Sequence, residues 1–217
     1  MTDTPMLLLA LIDVPDEVVE DFHAWYDGEH IPERAAIPGL GPIRRWERRA
    51  GDLPRFLATY EAPSAATLES GPYQELKSKG DTAWTQRLRP SFQRTLRGVF
   101  ALAADLGGSG GRPHACVVAL TSVDPADVDA YRSWYDEAHG PLVAKVPGIV
   151  RLRRYERDED PAHLTVMEMT DPAVLDGEDY LAAKSASPAA DLRVRWRREQ
   201  GVYVAGPPAD IPQEDAR

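Results

Sequence analysis

Hydrophobic and polar positions along the chain predict one order of elements, and the chain runs through that order twice. Apolar runs and alternating patterns indicate strands, and apolar positions three and four residues apart indicate helices. The first half predicts a strand over 6–14, a helix over 17–30, strands over 43–48 and 55–61, a helix over 65–76, an irregular or helical insert over 82–90 and a strand over 97–102. The order is therefore strand, helix, strand, strand, helix, strand.

The second half repeats this order. It predicts a strand over 115–123, a helix over 125–139, strands over 149–157 and 163–169, a helix over 174–185 and a strand over 201–205. In both halves a proline, Pro32 or Pro141, is expected to end or bend the first helix, because proline lacks the backbone N–H that an α-helix needs.

The two halves also share residues in one frame. The segment Trp25–Pro32 reads WYDGEHIP and returns at Trp134–Pro141 as WYDEAHGP, a shift of 134 − 25 = 109 residues. The same shift maps the Pro38-Gly39 turn onto Pro147-Gly148. Matches of such uncommon residue types without a gap indicate an internal duplication.

Each repeat has the order of the ferredoxin-like split motif, a four-stranded antiparallel sheet with two helices on one face. The other sheet face needs cover, so we expect an α+β fold of two tandem ferredoxin-like units packed sheet to sheet, with pseudo-two-fold symmetry and two related pockets. The expected division is 1–105 for the first unit, 106–113 for a flexible glycine-rich linker, 114–205 for the second unit and 206–217 for a disordered acidic tail.

The motif aromatic–Asp–x–x–His–x–Pro, followed by a Pro-Gly turn, resembles the EthD-like branch of the dimeric α+β barrel proteins. The residues that carry the resemblance are Trp25, Tyr26, Asp27, His30, Pro32, Pro38 and Gly39, with their partners 109 residues further on. Proteins of this kind are usually dimers of single units, so the resemblance implies an intramolecular dimeric α+β barrel here. It also implies chemistry on small polyketide-like or aromatic compounds, often without a cofactor. The reaction itself does not follow from the fold.

Charge and cysteine content limit the function classes. A formal net charge of −10 argues against nucleic-acid or anionic-membrane binding, which need a basic patch. The single Cys116 excludes an intramolecular disulfide and a multi-cysteine metal site. The apolar run at 6–12 is too short to span a membrane and lacks the flanks of a signal peptide, so the expected location is cytoplasmic.

The duplicated histidines, His30 and His139, are the main catalytic candidates, because an imidazole can exchange a proton near neutral pH. Asp27 and Asp136 lie three residues earlier and could orient the imidazoles. Alternatively, each histidine only caps its helix or bonds a nearby carbonyl. We prefer His30 because its neighbours Glu29 and Arg34 are more polar than those of His139.

Further candidates surround these histidines. Tyr26 could donate a proton to a substrate oxygen, and Tyr135, Trp25 and Trp134 could contact substrate, although all four also fit a core stripe. Arg45 and Arg154 could hold a carboxylate or enolate. Their structural alternative is pairing with Glu47, Glu156, Glu61 or Glu168.

Three functional hypotheses remain, with no metal signature in any of them. The first is a cofactor-independent enzyme that uses His30 or His139 for isomerisation, dehydration, cyclisation or cofactor-free oxygenation of a small hydrophobic substrate. The second is a haem-binding barrel, because related barrels bind haem and histidine can be its axial ligand. The third is a non-catalytic ligand-binding or structural barrel. The expected partner is a small molecule, and the expected state is a monomer with internal pairing or a homodimer.

Overall fold

The computed structural model describes residues 3–187 and 195–206, and the elements of the first repeat follow the predicted order. The tail predicted to be disordered lies outside these residues except for Gly206. The strands are β1 (Met6–Ile12), β2 (Ile43–Gly51), β3 (Phe56–Ala62) and β4 (Thr95–Asp105), and the helices are α1 (Val19–Trp25), α2 (Ile31–Ala35), α3 (Ala65–Glu69), α4 (Gly71–Ser78) and α5 (Ala83–Leu88). Short 3-10 turns cover Asp16–Val18 and Arg89–Ser91, and a π turn covers Tyr26–His30.

The second repeat has the same elements with shorter loops. Its strands are β5 (Ala115–Val123), β6 (Ile149–Glu156), β7 (His163–Met169) and β8 (Trp196–Ala205), and its helices are α6 (Val128–Ser133), α7 (Gly140–Val143) and α8 (Glu178–Ala186). Its 3-10 turns cover Pro125–Asp127 and Pro172–Asp176, and its π turn covers Trp134–His139. None of the helices within the described ranges is long and apolar enough to cross a membrane.

Strand pairing confirms the predicted fold class. In the first repeat β1 lies antiparallel between β3 and β4, and β2 pairs with β3. In the second, β5 lies antiparallel between β7 and β8, and β6 pairs with β7. The full order is a closed barrel, β1-β3-β2-β8-β5-β7-β6-β4. The fold is therefore α+β, two ferredoxin-like units in an intramolecular dimeric α+β barrel.

The compact units do not follow one cut in the sequence. The first contains the described residues up to Glu47 together with 54–101 and Gly206, and the second contains 48–53 and the described residues of 102–205. Strands β2 and β4 thus contribute to both units. The proposed domain boundary at residue 105 stays a prediction.

The glycine-rich stretch expected to be a flexible linker is hydrogen-bonded along β6. Leu106 N–H donates to Leu152 O, Ser109 N–H to Ile149 O, and Gly110 N–H to Val150 O, at 2.9 to 3.0 Å. Gly108 has φ +148° and faces the Val150 carbonyl so closely that a Cβ would collide with it. These glycines therefore allow close backbone approach to β6.

Each repeat has its own core. In the first, the fully buried Phe22 packs beside Phe56 and Tyr26, with ring centroids 4.9 and 5.0 Å apart. In the second, Ile149, Leu152 and Met169 are fully buried between the sheet and its helices. The first core lies directly under the duplicated motif, so it determines where the motif's side chains point.

Candidate functional site

The duplicated motif forms a π turn in both repeats. The N–H of Ile31 donates to the Tyr26 carbonyl, five residues earlier, and the N–H of Gly140 does the same to Tyr135. Pro32 does not end the helix as expected; α2 continues to Ala35. In a regular α-helix the Pro32 ring would meet the Gly28 carbonyl, and a widened turn just before the proline avoids this clash.

His30 lies at the end of this π turn, against aromatic side chains. Its ring centroid is 4.4 Å from that of Trp25, 4.9 Å from that of Tyr26 and 6.3 Å from that of Tyr60. These four residues line a cavity of about 550 Å³ in the first unit. The His30 imidazole makes no hydrogen bond to any residue that the structure describes. Its nitrogens are therefore available to a ligand in the cavity.

The surroundings of His30 favour its neutral form. Burial is the largest cause that lowers its pKa well below 6.5, and the charges of Arg34, Arg45 and Arg97 lower it further. At neutral pH the imidazole is uncharged, so one ring nitrogen can accept a proton.

Two buried tyrosines, Tyr26 and Tyr60, also line this cavity. Tyr60 on β3 is only 2% exposed, and its hydroxyl has no hydrogen-bond partner of normal geometry among the described residues. The Tyr26 hydroxyl is close enough for the two phenols to influence each other's pKa, and burial raises both pKa values. Tyr60 is thus an unpartnered donor that faces the same space as His30.

Asp27 does not contact His30, in contrast to the expected arrangement. Its Oδ1 accepts a hydrogen bond of 2.5 Å from Nη1 of Arg45, which is 7% exposed. Arg45 also contacts the His23 ring and lies over the Tyr26 ring at 4.6 Å. In a π turn, residues three apart no longer share a face, so Asp27 points away from the imidazole. Neither Asp27 nor Arg45 lines the cavity.

In the second repeat, Arg154 is paired in the same way as Arg45. It donates to both oxygens of Asp136, at 2.7 and 2.5 Å, and contacts Glu156. The structural alternative for Arg154, pairing with Glu156, is therefore present in the fold. Asp136 meets Arg154 where it was expected to orient His139.

His139 is hydrogen-bonded where His30 is not. Its Nδ1 lies 2.8 Å from the Ser187 hydroxyl, and its ring stacks on Trp134 with centroids 4.6 Å apart and planes at 17°. Burial is the main cause that lowers its pKa to about 4, with the charges of Arg198 and Lys184 adding to the effect. Tyr135 lies 5.4 Å from the imidazole, and burial raises the pKa of its phenol.

Basic side chains dominate the charged lining of the His30 cavity. Two of these are paired, Arg34 with Glu33 and Arg89 with Asp81, each at 2.7 Å. Lys79 lies 3.7 Å from Glu75. The remaining two, Lys77 and Arg97, have no carboxylate partner among the described residues.

Sequence patterns missed Tyr60, Tyr73 and Arg97 as site residues. Arg97 lies on β4 and reaches the cavity because β4 pairs with β1 in the register that sets Arg97 opposite Ala10. Such pairing over many residues leaves no local signal, although Tyr73 and its counterpart Tyr180 were visible in the repeat. Within the described ranges no group of three or more His, Cys, Asp or Glu side chains could hold a metal ion.

Comparisons with known proteins support the fold. No protein-family profile matches the chain, and no curated protein matches it. Among solved structures it is similar to an anthrone oxidase-like protein, with 12% identity, a TM-score of 0.59 and coverage of 94% of this chain and 92% of the other. It is also similar to a candidate monooxygenase from Lactobacillus acidophilus, with 12% identity, a TM-score of 0.56 and coverage of 92% and 94%.

A mutant chlorite dismutase from Candidatus Nitrospira defluvii is a third similar structure, with 12% identity, a TM-score of 0.59 and coverage of 93% and 92%. At such identities the likeness is one of fold. Because coverage is nearly complete on both sides, the likeness extends over both repeats. The chain therefore has the dimeric α+β barrel fold, with both units on one polypeptide.

Proposed function

We propose that this chain is a cofactor-independent enzyme of the EthD-like kind, in which His30 acts as acid and base on a small aromatic or polyketide-like substrate. The observation that carries the proposal is the neutral His30 imidazole, which faces an aromatic cavity without any hydrogen bond from the described protein. A structural histidine of the alternative kind would be hydrogen-bonded, as His139 is.

The first step that this geometry supports is proton abstraction beside a carbonyl. The C–H bond breaks, its proton moves to a ring nitrogen of His30, and its electron pair delocalises onto the carbonyl oxygen as an enolate. The unpartnered Tyr60 hydroxyl can donate to that oxygen. The positive charges of Arg34 and Arg97 stabilise the enolate from the cavity rim. The imidazolium then returns the proton, which completes an isomerisation or assists a dehydration or cyclisation.

Cofactor-free oxygenation is the variant that the solved structures favour, because one is named as anthrone oxidase-like and another as a monooxygenase. Here the carbanion reacts with dioxygen, and the peroxide anion takes the proton from His30 to form a hydroperoxide. Loss of the second C–H proton with hydroxide gives the ketone and one water. The oxidant is dioxygen and the carbon is oxidised.

The test uses anthrone as a carbon acid. Without oxygen, we expect the purified protein to catalyse deuterium exchange at the anthrone CH₂; in air, we expect oxygen uptake. General acid–base catalysis contributes about 10²–10⁴-fold, so His30→Ala should lower both rates by that order. Equal rates for His30→Ala and the parent would overturn the proposal. Exchange without oxygen uptake would support acid–base catalysis and argue against oxygenation.

Haem binding is the alternative, and His30 is the residue that would hold the iron. Its imidazole is neutral and free of hydrogen bonds, as a haem ligand requires, and Lys77 and Arg97 suit the carboxylates of the macrocycle. Haem would supply redox chemistry at the iron. A Soret band in the purified protein, or one that develops on haem addition and is lost in His30→Ala, would replace the cofactor-free proposal.

We also propose that the active form needs only one chain, because both units of the barrel lie on the same polypeptide. The proposed partner is a small molecule. A molecular mass in solution that matches the 24.0 kDa chain would support this, and a stable dimer would contradict it.

A further inference from the structure

We propose that the His30 cavity selects a substrate with an anionic oxygen group, a carboxylate or an ionised phenol, which Arg97 and Lys77 bind at the cavity rim. The position of the reacting carbon at His30 rests on the proposed function, whereas anion binding can be measured without turnover. The body of the substrate would lie deeper, against Leu8, Leu11 and Phe92.

Arg97 is held in place without losing its charge. Its Nη2 donates a 2.9 Å hydrogen bond to the hydroxyl of Tyr73, which is 8% exposed. A neutral phenol orients the guanidinium but does not compensate it. The remaining N–H groups of Arg97 can therefore donate to two oxygens of a carboxylate at once.

The repeat shows that the fold does not require this cation. Arg97 pairs with Ala10 across β4 and β1, and the equivalent Ala119, 109 residues later, pairs with Gln200. Arg34 likewise has Val143 at its repeat position. The second unit thus builds the same strand with a neutral residue, so a purely structural reason for Arg97 is lacking.

The charge of the whole chain makes the rim unusual. The net charge is −10, so the average surface repels anions. The cavity lining has the opposite balance, with five basic and two acidic side chains: Arg34, Lys77, Lys79, Arg89 and Arg97 against Glu33 and Asp81. Such a local reversal steers an anionic ligand to the cavity mouth.

The binding experiment compares two fluorescent probes that differ in charge, anthracene-2-carboxylate and anthracene-2-carboxamide. Each is titrated into the parent protein, Arg97→Gln and Arg49→Gln, and fluorescence anisotropy gives Kd. Arg97→Gln installs the residue of the second repeat. Arg49→Gln removes the same charge from an exposed position outside the cavity.

We expect the parent to bind the carboxylate more tightly than the carboxamide. Arg97→Gln should weaken carboxylate binding about tenfold or more, because hydrogen bonds between charged groups are the strong ones, and should leave the carboxamide unchanged. Arg49→Gln should change neither Kd, and Lys77→Met should add to the effect of Arg97→Gln. 2-Anthrol, titrated below and above the pKa of its phenol, tests the phenolate in the same way.

Three outcomes would overturn the inference: no carboxylate binding by the parent, equal binding of the two probes, or an equal loss for both probes in Arg97→Gln. The result is separable from that for catalysis. If His30→Ala keeps full turnover while Arg97→Gln loses only carboxylate binding, the acid–base proposal fails and the anion site stands. The reverse pattern removes the anion site alone.

Discussion

The Nδ1 atom of His139 lies 2.8 Å from the Ser187 hydroxyl, and this bond distinguishes His139 from its duplicate His30. The same bond gives His139 a structural role, because its imidazole is stacked on Trp134 and hydrogen-bonded at the same time. The two histidines thus have the same sequence motif and different environments.

The first prediction is that His139→Ala changes stability more than turnover. Loss of one hydrogen bond and a ring contact should lower the free energy of unfolding by about 1–2 kcal/mol, measured by urea denaturation. Turnover should stay within a few-fold of the parent, whereas His30→Ala loses most of it. A loss of turnover in His139→Ala as large as that in His30→Ala would show that both repeats are catalytic.

The order of elements and most of their bounds follow from sequence patterns, because each strand has its own local signal. The observed bounds of β5 and β7 are the predicted ones. The predicted helix over 65–76 is divided in two, because Ser70 accepts a hydrogen bond from Tyr73 N–H and begins a new helix with Pro72 in its first turn.

The site itself was only half predictable. The contact of Tyr26 with His30 was expected from their spacing, and the π turn preserves it. The partner of Asp27 was not, because the apolar stripe of the helix looks the same with or without a widened turn. One signal was available: Asp27 and Arg45 are 18 residues apart, and so are Asp136 and Arg154.

The second prediction follows from that pair. Asp27→Asn leaves the buried Arg45 without its carboxylate, so the free energy of unfolding should fall by about 1–3 kcal/mol, less than for a fully buried pair because Asp27 is partly exposed. The acid limb of the pH–rate profile should move little, because Asp27 does not touch His30. Arg45→Met combined with Asp27→Asn should recover part of the stability.

A large fall in kcat for Asp27→Asn at unchanged stability would contradict this assignment. The matched substitution Asp136→Asn removes the corresponding partner of Arg154 in the second repeat. It should lower stability in the same way and leave kcat unchanged.

The third prediction concerns pH. The folded-state pKa of His30 lies well below 6.5, with burial as the main cause, so the base form persists below pH 6 and the acid limb of kcat/KM should lie well under 6.5. Arg34→Met removes a nearby charge, so the limb should shift to higher pH while staying below 6.5. NMR titration of the imidazole measures the same pKa without substrate. A His30 pKa of 6.5 or above in the parent would contradict the structure.

The same shifts have a consequence for stability. Between pH 6.5 and the folded pKa, an unfolded histidine is protonated and the folded one is not, so stability falls as pH falls through that window. For His139 the window runs from 6.5 to about 4, which gives an upper bound of about 3 kcal/mol. His139→Gln should flatten this part of the stability curve. His30 and His23, whose pKa values are also lowered, act in the same direction.

The last prediction is that residues 1–105 do not form a stable monomer. Within that stretch, 48–53 belongs to the second compact unit, and there the Asp52 N–H donates to Gln200 O at 2.9 Å. A chain that ends at 105 leaves this strand end unpaired, and an exposed strand edge promotes association. By size-exclusion chromatography, 1–105 alone should be insoluble or self-associated. Coexpression of 1–105 with 106–217 should restore a soluble complex with a cooperative melt, because every pairing segment is then present. A monomeric 1–105 that melts cooperatively would show that the first repeat folds without the second.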